Sequence, residues 1–135
     1  MRSDCPLNFA LEILGDKWSL LVIRDMVFFN KRYYNEFLAS DECISTNTLA
    51  SRLDMLEEEG LLTKRNDPNH KQKIIYSLTQ KSIDLLPVIV EIALWSSTYG
   101  SLAVHKKAAA LLGDITAGKK AGIEKLKQAL AHEHL

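Results

Sequence analysis

The chain has 135 residues, 47% of them hydrophobic, with four Phe, four Tyr and two Trp, enough to bury a core and too many for disorder throughout. Lys+Arg and Asp+Glu are both 17, so the formal net charge is zero and any nucleic-acid contact must come from local charge asymmetry. The N-terminal MRSDCPLNFALEIL is broken by Asp4 and Glu12 and lacks a cleavage region, while the greasiest later run, LLPVIVEIALW, contains Glu91 and is too short for a bilayer, so a soluble cytoplasmic protein without membrane contact is expected.

Residues 6–14 predict a short helix with Pro6 at its first position. Asp16 can cap a second helix from Lys17 to about Phe29, and residues 33–40 predict a third, short unit with Phe37 and Leu38 inward and Asn35 and Glu36 wet. The next helix has a clear start. Ser45 is a good N-cap, Ile44 and Leu49 form a hydrophobic staple, and Thr48 leaves the capping box incomplete. Leu49, Leu53 and Leu56 make one buried stripe, Asn47, Ser51 and Asp54 point away from it, and Gly60 ends the run. The cluster of Ser45, Thr46, Asn47, Thr48 and Ser51 is not explained by helix propensity: these residues either only start the helix or face something to be read.

LLTKRND and KIIYSLT predict two short strands joined by a charged tip, DPNHKQ, forming a hairpin too small to stand alone. Between Gly60 and Lys81, Lys64, Arg65, Lys71, Lys73 and Lys81 face Asp67 alone, and the acidic Glu57, Glu58 and Glu59 lie just before them. Thr79 can cap a long helix over residues 80–100, with a bend or restart at Pro87. Its face of Leu85, Val88 or Ile89, Ile92, Trp95 and Tyr99 is too apolar for one hairpin to cover, which argues for a partner subunit, with packing against the C-terminal tail as the bland alternative. Two further helices are expected at about 102–112 and 118–132, so the chain divides into 1–100 and a helical extension, 101–135.

Several motifs are silent. Cys5 and Cys43 make no disulfide framework and, with His70, His105, His132 and His134, no zinc spacing. GDITAGKK, residues 113–120, matches GxxxxGK but places Lys120 where a magnesium-binding Ser or Thr is required, and it follows a helix instead of a strand. No nucleophile with its base and no paired carboxylates stand out, so neither an enzyme nor a cofactor or metal site is expected.

Helix, short helix, polar-nosed helix and basic hairpin is the order of a winged helix-turn-helix: mainly α with a small β-hairpin wing. CPLNFALEILGDKWSLLVIRDM, KRYYNEF, ISTNTLASRLDMLEEEGLL, YSLT and LLPVIVEIALW resemble the HxlR family, small bacterial dimeric winged-helix transcription regulators related to the MarR group. Cys5 and Pro6 match the family's CP, Asp16, Lys17 and Trp18 its GKW-like turn, Lys31 and Arg32 its KR, Thr79 its LT and Trp95 its late tryptophan. Phe29 and Asn30 replace its Gly-containing turn, Ser82 replaces its helix glycine, and NDPNHKQKIIY departs from its usual wing.

The residues and the resemblance together assign candidate roles. Asn47, Thr48, Ser51 and Arg52 are groove candidates, with a solvated side chain, or one salt-bridged to Glu58 or Asp16, as the bland reading of Arg52. Ser45 and Thr46 can donate to phosphate at the helix N-terminus, while Lys31, Arg32, His70, Lys71 and Lys73 are backbone candidates. Leu85, Ile89, Ile92, Trp95 and Tyr99 are the expected dimer seam. The resemblance implies a homodimer on a palindromic double-stranded operator. It also implies a small-ligand or electrophile effector, with Cys5 as the redox-sensing candidate because some relatives sense oxidants through the matching cysteine. Cys43, beside Ile44, is expected to be a buried small hydrophobe. A protein-interaction module that has lost DNA binding is the alternative.

Overall fold

A computed structural model describes residues 1–116 and 118–135, and of Asp114 and Thr116 the backbone only. The chain forms two compact units, Met1–Thr79 and Gln80–Leu135.

In the first unit, α1 (Pro6–Leu14) begins with Pro6, whose missing N–H costs nothing at a helix start. The helix has no buried residue. Asp16 starts the next helix from outside it: its Oδ2 accepts the N–H groups of Trp18 and Ser19 at 2.9 and 3.0 Å, and α2 (Ser19–Phe28) follows. Asn30 then turns the chain at φ 55°, the left-handed region that a glycine would otherwise fill and that Asn tolerates. The short α3 (Tyr34–Leu38) is started by Glu36, whose carboxylate reaches back to the N–H groups of Arg32 and Tyr33 at 3.0 and 3.1 Å.

The polar-nosed helix is α4 (Thr46–Glu58), and Ser45 is its N-cap, accepting the Thr48 N–H at 3.3 Å. Leu49, Leu53 and Leu56 are all buried, as the stripe requires. At the C-terminus Gly60 takes φ 75°, and the N–H groups of Gly60 and Leu61 return to the carbonyls of Glu57 and Leu56 at 3.0 and 2.8 Å. This Schellman closure satisfies two orphan carbonyls and drops Leu61 into the core beside Leu56.

β1 (Leu62–Asp67) and β2 (His70–Leu78) pair antiparallel through a two-residue turn, Pro68 and Asn69. The second strand therefore starts earlier than the sequence suggested, and the register shift between Asn66 and Asp67 absorbs the extra residues on its side. Tyr33 bridges Ile75, and the Tyr76 N–H donates to the Arg32 carbonyl at 2.9 Å, so the segment before α3 adds a third edge to the hairpin. Val22, Ile23, Met26, Phe37, Leu62 and Leu78 are among the other side chains of this unit's core.

The second unit starts with a single turn, α5 (Gln80–Ile83), before α6 (Leu86–Tyr99) restarts with Pro87 in its first turn. Pro87 thus breaks the long helix expected from sequence where its ring and missing N–H would cost about 3 kcal/mol in a continuous one. Ser82, in place of a family glycine, is fully buried. Gly100 makes the corner into α7 (Leu102–Leu112): a Cβ there would lie 2.6 Å from Val104 Cγ1. A 3₁₀ turn over Gly113–Thr116 and then α8 (Lys119–His134) close the unit, with Lys127 paired to Asp84 at 3.2 Å and Lys119 paired to Glu91. The GxxxxGK-like stretch includes Ala117, which lies outside the described residues. No helix among the described residues is long and apolar enough to cross a membrane.

Candidate nucleic-acid interface

The exposed end of α4 is built by its own buried face. With Leu49 and Leu53 anchored, Ser45, Thr46, Asn47 and Ser51 are exposed, and Thr48 and Arg52 are half-buried beside them. Thr48 and Arg52 share a side at i, i+4, as do Asn47 and Ser51. Asn47, Thr48, Ser51 and Arg52 line one open cleft of about 320 Å³ together with Asp16 and Trp18. Ser45 Oγ donates to Thr48 Oγ1 at 2.9 Å, so both hydroxyls serve the cap as well as facing outward. The Tyr34 hydroxyl donates to the Thr46 carbonyl at 2.9 Å and ties α3 to the nose.

Arg52 Nη1 lies 3.8 Å from Asp16 Oδ1, and its Nη2 lies 3.3 Å from Ser51 Oγ. Asp16 is itself fixed by three donors, the third being Ser19 Oγ on Oδ1 at 2.6 Å. Partial burial pushes the Asp16 carboxyl up, but the Ser19 hydroxyl, the Trp18 and Ser19 N–H groups and the Arg52 charge together hold it below its ordinary value.

The wing presents Thr63, Lys64, Arg65 and Asn66 on β1 and His70, Lys71 and Lys73 on β2, all exposed. Lys64 lies 3.7 Å from Glu57, so the acidic run at the end of α4 partly neutralises the wing's base while leaving its tip basic. At the tip Asp67 is buried. It accepts the Tyr33 hydroxyl at 2.6 Å and the Asn69 N–H at 2.9 Å, and the Tyr33 hydrogen bond first, then Asn69, lowers its pKa. The same bond raises the Tyr33 pKa. Lys73 Nζ sits 5.6 Å from the centre of the Tyr33 ring, a cation–π contact that directs it along the wing.

Lys31 and Arg32 are placed differently from the wing lysines. Lys31 Nζ bonds Ser40 Oγ at 2.9 Å and lies 3.5 Å from the buried Asp25, which also receives Arg24 at 2.7 Å and the Ser40 hydroxyl. Arg24 is bidentate to Glu42 at 2.8 Å through both Nη atoms, which raises the Arg24 pKa and lowers that of Glu42. Arg32 bonds the Tyr76 carbonyl at 3.0 Å and Ser77 Oγ. Both residues therefore also join α2, α3 and the wing through these acceptors.

Cys5 is the N-cap residue of α1 and is exposed, and the Asn8 and Leu7 N–H groups lower its thiol pKa. Cys43 corrects the sequence reading: it is exposed, at φ 58°, because the loop before Ser45 has to reverse there, and Ile44 alone turns inward. Of the expected seam, Ile89 is buried within the chain and Leu85 half-buried, whereas Ile92, Trp95 and Tyr99 are exposed and Trp95 packs on Tyr99 at 5.6 Å between ring centres. Ile89 is thus a core residue, and Val88 takes the outward position. Leu7, Phe9 and Leu11 of α1 and Leu102 of α7 are further exposed apolar side chains.

The helix-turn-helix and wing match known proteins. The pattern of the HxlR-like helix-turn-helix family fits residues 13–103. The chain belongs to this family. It is 32% identical over 92 residues to an uncharacterised HTH-type transcriptional regulator of Halalkalibacterium halodurans, covering 68% of this chain and 81% of that protein. An uncharacterised HTH-type regulator of Mycobacterium tuberculosis is 37% identical over 90 residues, but there the chain spans only 56% of the relative's length. Among solved structures, PA1607 superposes with a TM-score of 0.68 at 32% identity, covering 74% of this chain and 68% of that one. The redox regulator HypR in its oxidised form superposes with a TM-score of 0.62 at 25% identity, covering 73% and 100%. The HxlR resemblance and the mainly α, winged fold read from sequence are therefore established, and residues 104–135 lie outside the family match.

The pairing of Arg52 with Asp16 is one of the two salt bridges weighed in the sequence, whereas the Tyr33–Asp67–Lys73 strut at the wing was missed. Adjacent aromatics in KRYY were the one available signal for an extended edge there.

Proposed function

We propose that this HxlR-family chain is a sequence-specific, double-stranded DNA-binding transcriptional regulator that acts as a homodimer on a palindromic operator. The observation that carries the reading is the α4 nose: Thr46, Asn47 and Ser51 stand exposed on a helix fixed by three buried leucines, beside a wing with an exposed Lys71 and Lys73. Such a helix end fits a major groove. Asn47 suits adenine, Arg52 guanine or phosphate, and Thr48 and Ser51 either base or backbone. Ser45 and Thr46 meet phosphate at the helix start, and His70, Lys71 and Lys73 follow the backbone along the wing. Lys31 and Arg32 are phosphate candidates at the edge of that surface and also hold the wing to α2 and α3.

Residues 1–100 carry recognition and dimerisation, and residues 101–135 are helical scaffold. The exposed Ile92, Trp95 and Tyr99 supply the seam, since a patch of two touching, tilted aromatics and an aliphatic side chain in water is costly to leave bare. A two-fold dimer would set its two reading helices about one duplex turn, roughly 34 Å, apart. Cys5 is the proposed switch: an exposed thiol with a depressed pKa reacts preferentially with oxidants and electrophiles. The redox regulator HypR supports this by its fold.

The zero net charge favours one rival, a winged-helix module that binds protein partners and no DNA. Duplex binding by the full chain at increasing salt separates them. A regulator loses affinity steeply as counterions compete for the phosphates, and an interaction module binds no duplex at any salt.

A further inference from the structure

Arg52 can bond any phosphate, which would make it a source of indiscriminate affinity unless something restrains it. The structure supplies a restraint from outside the reading helix. Asp16, in the turn between α1 and α2, faces Arg52 across the cleft at 3.8 Å, and neither side chain is more than 29% exposed. Asp16 is not free to follow the guanidinium: Trp18, Ser19 N–H and Ser19 Oγ hold both of its oxygens. The anion is therefore a fixed post, and Arg52 is the movable partner. At 3.8 Å the pair is a charge contact and not a tight hydrogen bond, so it orients Arg52 without locking it.

We propose that Asp16 is a positioning and selectivity residue for Arg52, holding its guanidinium on the groove side of α4 and discounting its charge so that it is released only to a base edge with two matching acceptors. The inference rests on the DNA-binding reading above. A fixed carboxylate in the cleft also repels phosphate, so a lone backbone oxygen competes poorly for Arg52. A guanine edge, with O6 and N7 side by side, engages the fork bidentately and competes well. Asp16 thus lowers affinity for all DNA but lowers it least for the operator.

The test uses the full chain and two duplexes, the operator recovered by selection of bound genomic fragments and a scrambled copy. Binding is measured across a salt series for wild type, Asp16→Asn, Arg52→Ala and the double variant. Asn keeps an amide oxygen for the Trp18 and Ser19 N–H groups, and a melting curve confirms that the fold survives. The expected result is that Asp16→Asn tightens scrambled-duplex binding about tenfold, by removing one charge from the contact set, and tightens operator binding less, so the specificity ratio falls. In the Arg52→Ala background, Asp16→Asn should leave the ratio unchanged, because the restrained group is gone. An unaltered ratio in Asp16→Asn, or an equal fall with and without Arg52, overturns the inference while DNA binding stands. If Asp16→Asn melts early, Arg52→Lys replaces it as the probe: it keeps the charge and loses the fork, and an undiminished ratio there overturns the inference as well. Wild type that binds neither duplex removes the proposed function and this inference together.

Discussion

The Tyr33 hydroxyl donates to the buried Asp67 carboxylate at 2.6 Å, joining the segment before α3 to the last residue of β1. That bond sits under the wing tip, and the Tyr33 ring also carries Lys73. Tyr33→Phe is expected to raise the Asp67 pKa toward its ordinary value, measured by carboxylate NMR titration, since the hydroxyl is the largest cause of its lowering. Tyr33→Ala, which also removes the ring beside Lys73, should weaken all duplexes about evenly, by roughly two- to fivefold, as one phosphate contact loses its direction. An unmoved Asp67 titration would show that Asn69 alone holds the carboxylate.

Acid stability follows from the same group and from Glu42 and Asp16, all of whose folded pKa values lie below their ordinary ones. A depressed carboxylate stabilises the fold above its unfolded pKa, about 3.9 for Asp and 4.3 for Glu, and that contribution is lost as pH falls through the folded value. The melting temperature should hold steady down to about pH 5 and fall below about pH 4. Glu42→Gln, which removes the bidentate partner of Arg24, should flatten that fall. An equally steep decline in the variant would exclude Glu42 as a contributor.

On the operator, Asn47→Ala or Arg52→Ala should each cost about 1–3 kcal/mol if the side chain reads a base. Lys71→Ala and Lys73→Ala should weaken operator and scrambled duplex alike and lower the salt slope by about one each. Full operator affinity in both α4 variants would mean that another element reads the site.

The proposed dimer seam rests on Trp95, which is 67% exposed. Trp95→Ala should cost the dimer about 2 kcal/mol or more, seen as dissociation in sedimentation at micromolar concentration. Truncation after Gly100 should alter dimer stability more than base preference. A wild-type monomer at those concentrations would end the seam assignment.

Cys5→Ser should abolish any change of operator affinity caused by mild peroxide or an electrophile, because Ser lacks the thiolate that reacts. Identical responses in wild type and variant would exclude Cys5 as the switch.

The sequence was most legible where one local rule decides a position. Ser45 as N-cap, Gly60 as helix stop, Pro87 as restart point and the Leu49, Leu53, Leu56 stripe all depend on neighbours within a few residues. It was least legible where distant segments meet. Lys31 and Arg32 read as phosphate candidates alone, yet Asp25, Ser40 and the Tyr76 carbonyl, brought in by the fold, also bond them. Cys43 read as buried because Ile44 is, but the left-handed turn between Ser40 and Ser45 points the two side chains apart. Periodicity could not choose between Val88 and Ile89, because the break at residues 84–85 resets the helix phase.

The most direct measurement of the central claim is selection of genomic fragments by the full chain, followed by titration of the recovered duplex against salt. A palindromic site with half-sites about one turn apart is expected, with log affinity falling linearly as log salt rises. Recovery of no enriched fragment, with no duplex bound even at low salt, would contradict it.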